Sequence, residues 1–200
     1  MSHDVALIDA LNNVLWSYNQ GQYKYMNEFI RLNKSSADML LFGLFPNAKE
    51  VTESYAALNA VKTKLKQYDL SDPEVTLVSV GDGRTPRTAS LFAFRTNLQC
   101  ISIDPLLNTE KIPYWENNIK RLKCYPNCVE ELDLCYDKVI IVAVHSHANM
   151  KNTLDHVRGK VRSMVAIPCC KPFVHEIKPK EFRDAGIWSP KNLVKVWRTI

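Results

Sequence analysis

Two glycines and one aspartate carry the clearest chemical signal in the chain. Gly81 and Gly83 form a G-x-G turn, and Asp104 stands directly after the next apolar run. Glycine lets a backbone approach a ligand that a Cβ would repel, and a carboxylate accepts hydrogen bonds from ribose hydroxyls. The combination favours a site for a nucleoside-type ligand. The alternative is an ordinary turn between a strand and a helix, in which the glycines serve only geometry.

Two strands and the helix between them must position these residues. The β-branched run Val75–Val80 predicts the first strand, residues 88–94 have helical apolar spacing, and residues 100–103 predict the second strand. This order is half of a nucleotide-binding crevice. The loop is not the dinucleotide fingerprint G-x-G-x-x-G, because Pro86 stands at the third glycine, and no G-K-[S/T] follows as in a Walker loop.

The rest of the chain divides at the turn formed by residues 71–73. Before it, apolar residues recur at helical spacing in four segments: residues 5–18, 25–32, 39–45 and 52–68. After it, helices are predicted at residues 114–122 and 149–157, and strands at residues 128–132, 138–144, 161–167 and 193–199. This alternation is typical of a parallel sheet covered on both faces. We predict an N-terminal helical extension (1–72) followed by an α/β domain (73–200) with a mostly parallel sheet.

The order of elements resembles the class I S-adenosylmethionine-dependent methyltransferases, which have a Rossmann-like fold. V-S-V-G-D-G-R-T occupies the position of the family motif D/E-x-G-x-G-x-G, with Ser79 replacing the acid and Thr85 the last glycine. Asp104 matches the ribose-binding acid, and Glu130 lies where family members often contact the adenine. The resemblance implies S-adenosylmethionine as the cofactor and the following binding residues: Ser79, Gly81, Asp82, Gly83, Thr85, Asp104, Pro105, Glu130 and His145.

Two more fragments resemble one branch of this family, which includes a eukaryotic tRNA 2′-O-methyltransferase. That branch carries H-x-C-G after the fourth strand and P-C-C after the fifth. His145, Cys169 and Cys170 match these motifs, whereas His147 and Ala148 replace the C-G. The match makes His145 and Cys169 the candidate catalytic residues. The histidine could orient the cofactor, act as a base or only cap a turn, and the thiol would need a nearby cation to favour its thiolate.

Six cysteines without a recognisable secretory signal indicate reduced thiols and a cytoplasmic location. Cys124-x-x-x-Cys128 with a histidine at 145 or 147 fits a zinc site only loosely, because no second cysteine pair follows. Free cysteine is among the most buried residue types. We therefore expect Cys169 and Cys170 to pack beneath the site, reduced, inaccessible and without a metal.

Charge favours a polyanionic partner only mildly, since the formal net charge is +5. Residues 171–198 interleave seven lysines and arginines with four large aromatic residues. Such side chains neutralise phosphates and stack on unpaired bases. RNA is the predicted partner, contacted by three cations of this segment, Lys178, Lys180 and Arg183. The alternative is a solvated charged face with Trp188 and Trp197 in the core. No apolar run reaches the ~20 residues of a membrane span.

The lack of G-x-G-x-x-G counts against another nucleotide-using enzyme of Rossmann type, such as a dehydrogenase. Besides that option, two functions remain open at this point. One is a small methyltransferase acting on RNA, which the glycine loop, Asp104 and the P-C-C fragment support. The other is a non-catalytic protein that keeps the fold to bind a nucleotide, a nucleic acid or a protein partner. It is supported by Ser79 and Thr85 in the loop and by the absence of an N/D-P-P-Y motif after the fourth predicted strand.

Overall fold

The computed structural model describes residues 21–32, 34–170 and 173–200, so the helix predicted at residues 5–18 lies outside it. The helices in these ranges are α1 (Lys24–Arg31), α2 (Lys34–Leu41), α3 (Ala48–Lys64), α4 (Arg87–Arg95), α5 (Ile112–Asn118) and α6 (Met150–His156). The strands are β1 (Val75–Val80), β2 (Gln99–Ile103), β3 (Leu122–Tyr125), β4 (Leu134–Val144), β5 (Val157–Ile167), β6 (Lys180–Arg183) and β7 (Leu193–Trp197). None of the described helices has both the length and the apolar character needed to cross a bilayer.

The seven strands form one sheet in the order β3-β2-β1-β4-β5-β7-β6. The pairs from β3 to β5 are parallel, and β7 runs antiparallel between β5 and β6. Strand β1 is central, and its register places Leu77 between Cys100 of β2 and Ile140 of β4. Every residue of β1 is buried, as expected for a parallel strand covered on both faces. The sheet confirms the predicted Rossmann-like, mostly parallel α/β fold.

Helices cover both faces of the sheet. On one face, Tyr55 of α3 and Phe92 of α4 belong to the same buried cluster as Leu77 of β1. On the other face, Met150 and Leu154 of α6 pack with the alternate residues of the central strands. Asn47 caps the start of α3, and its side chain accepts a hydrogen bond from the backbone N–H of Glu50. The described N-terminal helices therefore share one core with the sheet, and the domain boundary at residue 72 stays a prediction.

One sequence-based prediction of local structure is wrong, and one strand was missed. Residues 128–132 are not a strand: the third strand is β3, four residues long, and residues 129–131 form a 3-10 turn. Arg121, with φ at 64°, turns the chain into β3 soon after α5 ends, so the strand comes earlier than its apolar pattern suggests. Strand β6 was not predicted. Its sequence, K-E-F-R, lacks an apolar run because it forms the edge of the sheet, where charged side chains are common.

Candidate functional site

A cavity of about 460 Å³ opens at the carboxyl ends of β1, β2 and β4. This edge of an open α/β sheet is where ligands bind. The cavity is lined by both apolar and polar residues. The apolar ones include Val80, Ile103, Leu106 and Val129. The polar ones include Arg87, Asp104, Glu130 and His145. The sequence-predicted residues Gly81, Gly83, Asp104, Pro105, Glu130 and His145 all line it. The fold therefore brings most of the predicted site together.

The glycine loop after β1 needs glycine for its backbone and for its packing. Both Gly81 and Gly83 have positive φ, at 86° and 78°. A Cβ at Gly81 would lie 2.3 Å from Oγ of Ser146 and 2.8 Å from its Cα. Ser146 belongs to the loop after β4, so Gly81 is required where two loops cross. Gly81 thus serves internal packing and also lines the cavity, where the ligand approach that the sequence suggested stays a prediction.

Asp104 is held rigidly at the cavity wall. Its side chain is buried, with 8% of the residue exposed. One carboxylate oxygen accepts a hydrogen bond from the backbone N–H of Gly83 at 2.7 Å, and the other accepts from Leu106 at 2.8 Å. Each oxygen keeps further acceptor capacity. A fixed, buried carboxylate of this kind can accept hydrogen bonds from ligand hydroxyls at little cost in side-chain entropy.

Asp82 faces away from the cavity, contrary to the prediction. Its carboxylate accepts hydrogen bonds from the backbone of Thr88 at 3.1 Å and Ala89 at 3.2 Å, and from Oγ of Ser102 at 2.9 Å. The first two donors lie in the first turn of α4, where a negative charge is favoured by the helix dipole. Asp82 is 1% exposed. It caps the helix and does not reach a ligand in the cavity.

Ser79 and Thr85 also lie away from this cavity. Ser79 is 1% exposed within β1, between its neighbouring strands. Thr85 donates a hydrogen bond to the carbonyl of Leu44 at 2.7 Å and lines an adjoining cavity, which shares Gly83 and Arg87 with the first. It ties the glycine loop to the segment between α2 and α3. The two positions at which the chain departs from the family motif are therefore structural in this fold.

Arg87 and Glu130 place opposite charges on the cavity wall. Arg87 lies at the start of α4, with its Nε 3.3 Å from Oε2 of Glu50 and its guanidinium donating to the carbonyl of Asp82. Glu130 lies in the 3-10 turn after β3, and its Oε1 accepts from Nδ2 of Asn152 at 2.7 Å. Arg87 was not singled out from the sequence, because a cation directly after a proline indicates only the start of a helix.

His145 is held between two acceptors and is poorly placed to act as a base. It follows β4 directly with a positive φ of 51°. Its Nδ1 lies 3.3 Å from Oε1 of Glu53, and its Nε2 lies 3.3 Å from the carbonyl oxygen of Lys191. A carbonyl oxygen can only accept, so the contact with Lys191 is a hydrogen bond in the form of the ring that carries a proton on Nε2. Both ring nitrogens are thus engaged within the protein, and the arrangement favours a positioning role over proton transfer.

The partner of His145 was not found from the sequence. Glu53 is 1% exposed on α3, in a helix whose residues 51–58 are all buried. Lys49 is the other charged neighbour of its Oε1, at 3.5 Å. A carboxylate within a buried run that is otherwise uncharged indicates a partner close by, because buried charges are paired. Such a glutamate could have been singled out, although its histidine partner could not.

Cys169 and Cys170 are more accessible than expected. Cys170 is exposed and Cys169 is partly exposed, so the prediction that both pack beneath the site is wrong. Strand β5 ends at Ile167, and Pro168 then leads the chain to the surface. Partial burial, followed by the side-chain hydrogen bond with Cys170, raises the pKa of Cys169. The thiol form is therefore favoured, which argues against a nucleophilic role for Cys169.

The cations predicted to contact RNA are exposed but do not share one surface. Lys180 and Arg183 both lie in β6 and, being three residues apart in a strand, point to opposite faces. Arg183 lines a cavity of about 430 Å³ together with Cys169 and Cys170. Trp197 is 1% exposed, whereas Trp188 is 41% exposed. The aromatic residues thus divide between core and surface, and contact with RNA stays a prediction.

Comparison with known proteins finds similarity only among solved structures. The chain matches no protein-family model and no curated protein sequence. A 1,6-didemethyltoxoflavin-N1-methyltransferase from Burkholderia thailandensis, solved with S-adenosylhomocysteine, is 12% identical over 100% of this chain and 75% of its own, with a TM-score of 0.42. A variant of MtNAS in complex with S-adenosylmethionine is 11% identical over 88% and 77%, with a TM-score of 0.49. A TehB-like S-adenosylmethionine-dependent methyltransferase from Corynebacterium glutamicum is 10% identical over 87% and 99%, with a TM-score of 0.46.

Proposed function

We propose that the chain is a class I S-adenosylmethionine-dependent methyltransferase that acts on RNA. The observation that carries the proposal is Asp104, a buried carboxylate fixed by two backbone donors at the wall of a cavity at the carboxyl edge of the sheet. A ribose needs such an acceptor for its hydroxyls. The fold supplies the acid, the glycine loop and the cavity in one place.

The residues around Asp104 fit the rest of an adenosyl cofactor. Ile103, Leu106 and Val129 offer an apolar wall for an adenine ring. Arg87 offers a positive charge for the carboxylate of the amino-acid part. When bound, S-adenosylmethionine supplies an electrophilic methyl group. The chain's own contribution is to orient the ribose through Asp104 and to exclude water from the apolar wall.

The proposal that RNA is the methyl acceptor rests on the charge of the surface next to this cavity. The neighbouring cavity at the ends of β5 and β7 is lined by three cations, Arg183, Lys191 and Lys195. Phosphates of a nucleic acid would be favoured there. A hydroxyl acceptor needs help with proton removal, so His145 would first have to turn away from the carbonyl of Lys191. An amine or ring nitrogen of a nucleobase depends less on such help with proton removal.

A second candidate is a non-catalytic protein that binds a nucleotide, a nucleic acid or a protein partner. One observation favours it: both ring nitrogens of His145 face acceptors within the protein, so this candidate base is not directed at a ligand in the cavity. Binding of the cofactor without transfer of its methyl group would then be the expected behaviour.

Calorimetry with S-adenosylhomocysteine and S-adenosylmethionine tests the proposal, followed by transfer of a labelled methyl group to RNA. Binding at one site per chain and labelling of RNA would support a methyltransferase. Binding without labelling of RNA would favour the non-catalytic candidate. No binding of either compound by a folded chain would refute both the cofactor and the proposed reaction.

A further inference from the structure

Three metal-ligating atoms converge beside the candidate cofactor cavity. Nε2 of His147 lies 3.5 Å from Sγ of Cys169 and 3.2 Å from Sγ of Cys170, and the two sulfur atoms are 3.4 Å apart. All three ligand atoms lie within 4.8 Å of one another. We propose that His147, Cys169 and Cys170 form a site for a zinc ion. The sequence alone led to the opposite expectation, that no metal is bound.

The distances match the edges of a zinc coordination tetrahedron. Zinc binds thiolate sulfur at about 2.3 Å and imidazole nitrogen at about 2.0 Å. In a tetrahedron these lengths give nitrogen–sulfur edges of about 3.5 Å and a sulfur–sulfur edge of about 3.8 Å. The observed separations of 3.2–3.5 Å are only slightly shorter. Small rotations of exposed side chains would therefore suffice to admit the ion.

The fold holds the two loops that carry the ligands. The backbone N–H of His145 donates to the carbonyl of Ile167 at 2.8 Å, which joins the end of β4 to the end of β5. In the loop after β4, Oγ of Ser146 accepts from the N–H of Ala148 at 3.1 Å, and His147 lies between these two residues. Sγ of Cys169 lies 3.7 Å from the carbonyl of His145. Histidine and cysteine are thus brought together by the sheet, not by their spacing in the sequence.

The chemistry of the ligands selects the ion. Two thiols and an imidazole are soft or borderline donors, which favour zinc over magnesium or calcium. Binding requires both thiols to release their protons. The cations Arg183 and Lys191 line the same cavity as the two cysteines and favour their thiolates. In a disulfide the two sulfur atoms would be about 2.05 Å apart, whereas here they are 3.4 Å apart.

The described residues supply three protein ligands, which leaves the fourth position open. Sites of this kind bind water or a substrate group there, whereas structural zinc sites are usually closed by a fourth side chain. His147 lines the cavity that contains Asp104, and the two cysteines line the neighbouring cavity with the cations. The open position would therefore lie between the proposed cofactor and the proposed acceptor. The metal site itself does not depend on either.

Zinc and cobalt titrations of the reduced, metal-free full chain test this site. We expect one zinc ion per chain in competition with a chromophoric chelator. Cobalt should give the sulfur-to-metal absorption of two thiolates and the visible bands of a four-coordinate ion. Cys170→Ser and His147→Asn should each weaken zinc binding by about 100-fold or more, because even residues that only support a metal ligand contribute 10–100-fold.

Cys135→Ser is the matched control, since Cys135 is exposed in β4 and is not one of the three ligands. Its zinc affinity should equal that of the unaltered chain. Cys170 is also exposed, so its substitution tests ligation without removing core packing. The proposal is overturned if the reduced chain binds no stoichiometric zinc. It is equally overturned if Cys170→Ser and His147→Asn bind zinc as tightly as Cys135→Ser does.

Discussion

Replacing Asp104 by asparagine should remove most of the affinity for an adenosyl ligand. The carboxylate accepts from Gly83 and Leu106 with one oxygen each, so an amide must turn its NH₂ group toward one of these two backbone donors. A hydrogen bond to a charged group contributes about 1.5–3 kcal/mol. Loss of one such bond to a ribose hydroxyl would weaken binding by roughly 10–150-fold.

The same substitution must also lower stability, and a matched variant separates the two effects. Asp82 likewise is a buried carboxylate that accepts from two backbone N–H groups, those of Thr88 and Ala89, but it faces away from the cavity. Both Asp104→Asn and Asp82→Asn should lower the free energy of unfolding by about 1–3 kcal/mol, because each leaves a buried donor without its acceptor. Only Asp104→Asn should also weaken ligand binding by roughly 10–150-fold.

Calorimetry with S-adenosylhomocysteine and thermal unfolding of the same preparations are the measurements. The reasoning is refuted if Asp104→Asn binds the ligand as tightly as the unaltered chain. It is also refuted if Asp82→Asn, while still folded at the titration temperature, loses as much affinity as Asp104→Asn. In that case the integrity of the glycine loop, and not the acid at the cavity wall, would determine binding.

Three further predictions concern the loop, the core and the charged edge. Gly81→Ala should destabilise by about 1–3 kcal/mol more than Gly43→Ala in thermal unfolding, because both have positive φ but only Gly81 lies against Ser146; equal losses would contradict the loop crossing. Burial raises the pKa of Cys124 to about 12, whereas the unfolded chain has a thiol pKa of ~8.5. The stabilisation by the neutral, buried thiol is therefore complete below pH ~8.5 and is lost as the pH rises toward 12. The free energy of unfolding, measured with denaturant, should fall by about 1–2 kcal/mol through this thiol by pH 10, and Cys124→Ala should lack this decrease. The same pH dependence in both proteins would count against that burial. Arg183→Ala should reduce the salt dependence of binding to single-stranded RNA by ~0.7 units and Lys180→Ala should not; equal effects would place the RNA elsewhere.

The central part of the fold could be predicted because its signals are local. Strand β1 is short, buried and rich in β-branched residues, and the glycine loop and α4 follow it without a gap. The register of that strand then places the ends of β2 and β4 beside it, with Asp104 and His145 at the same edge. A pattern of buried strands and their order along the chain is enough to bring those two residues near each other.

The roles of individual side chains could not be predicted, because they depend on contacts between distant segments. Asp82 and Asp104 both neighbour the glycine loop, and only the position of α4 decides that the first caps a helix. Glu53 meets His145 because α3 packs across the sheet. The P-C-C fragment likewise gives no hint that His147, from another loop, lies within hydrogen-bonding distance of its sulfur atoms.

The crossing of the loops at Gly81 and Ser146 ties together two positions that are far apart in the sequence. Ser146 is 1% exposed, and its Cβ would lie 2.6 Å from a Cβ at residue 81. Neither residue can gain bulk unless the backbone of the other moves. In related chains of this fold, a glycine at the first position should therefore coincide with a small residue at the second. A larger residue at one should appear only with a longer or displaced loop at the other. The pair forms a joint sequence constraint by which distant relatives of this chain can be recognised.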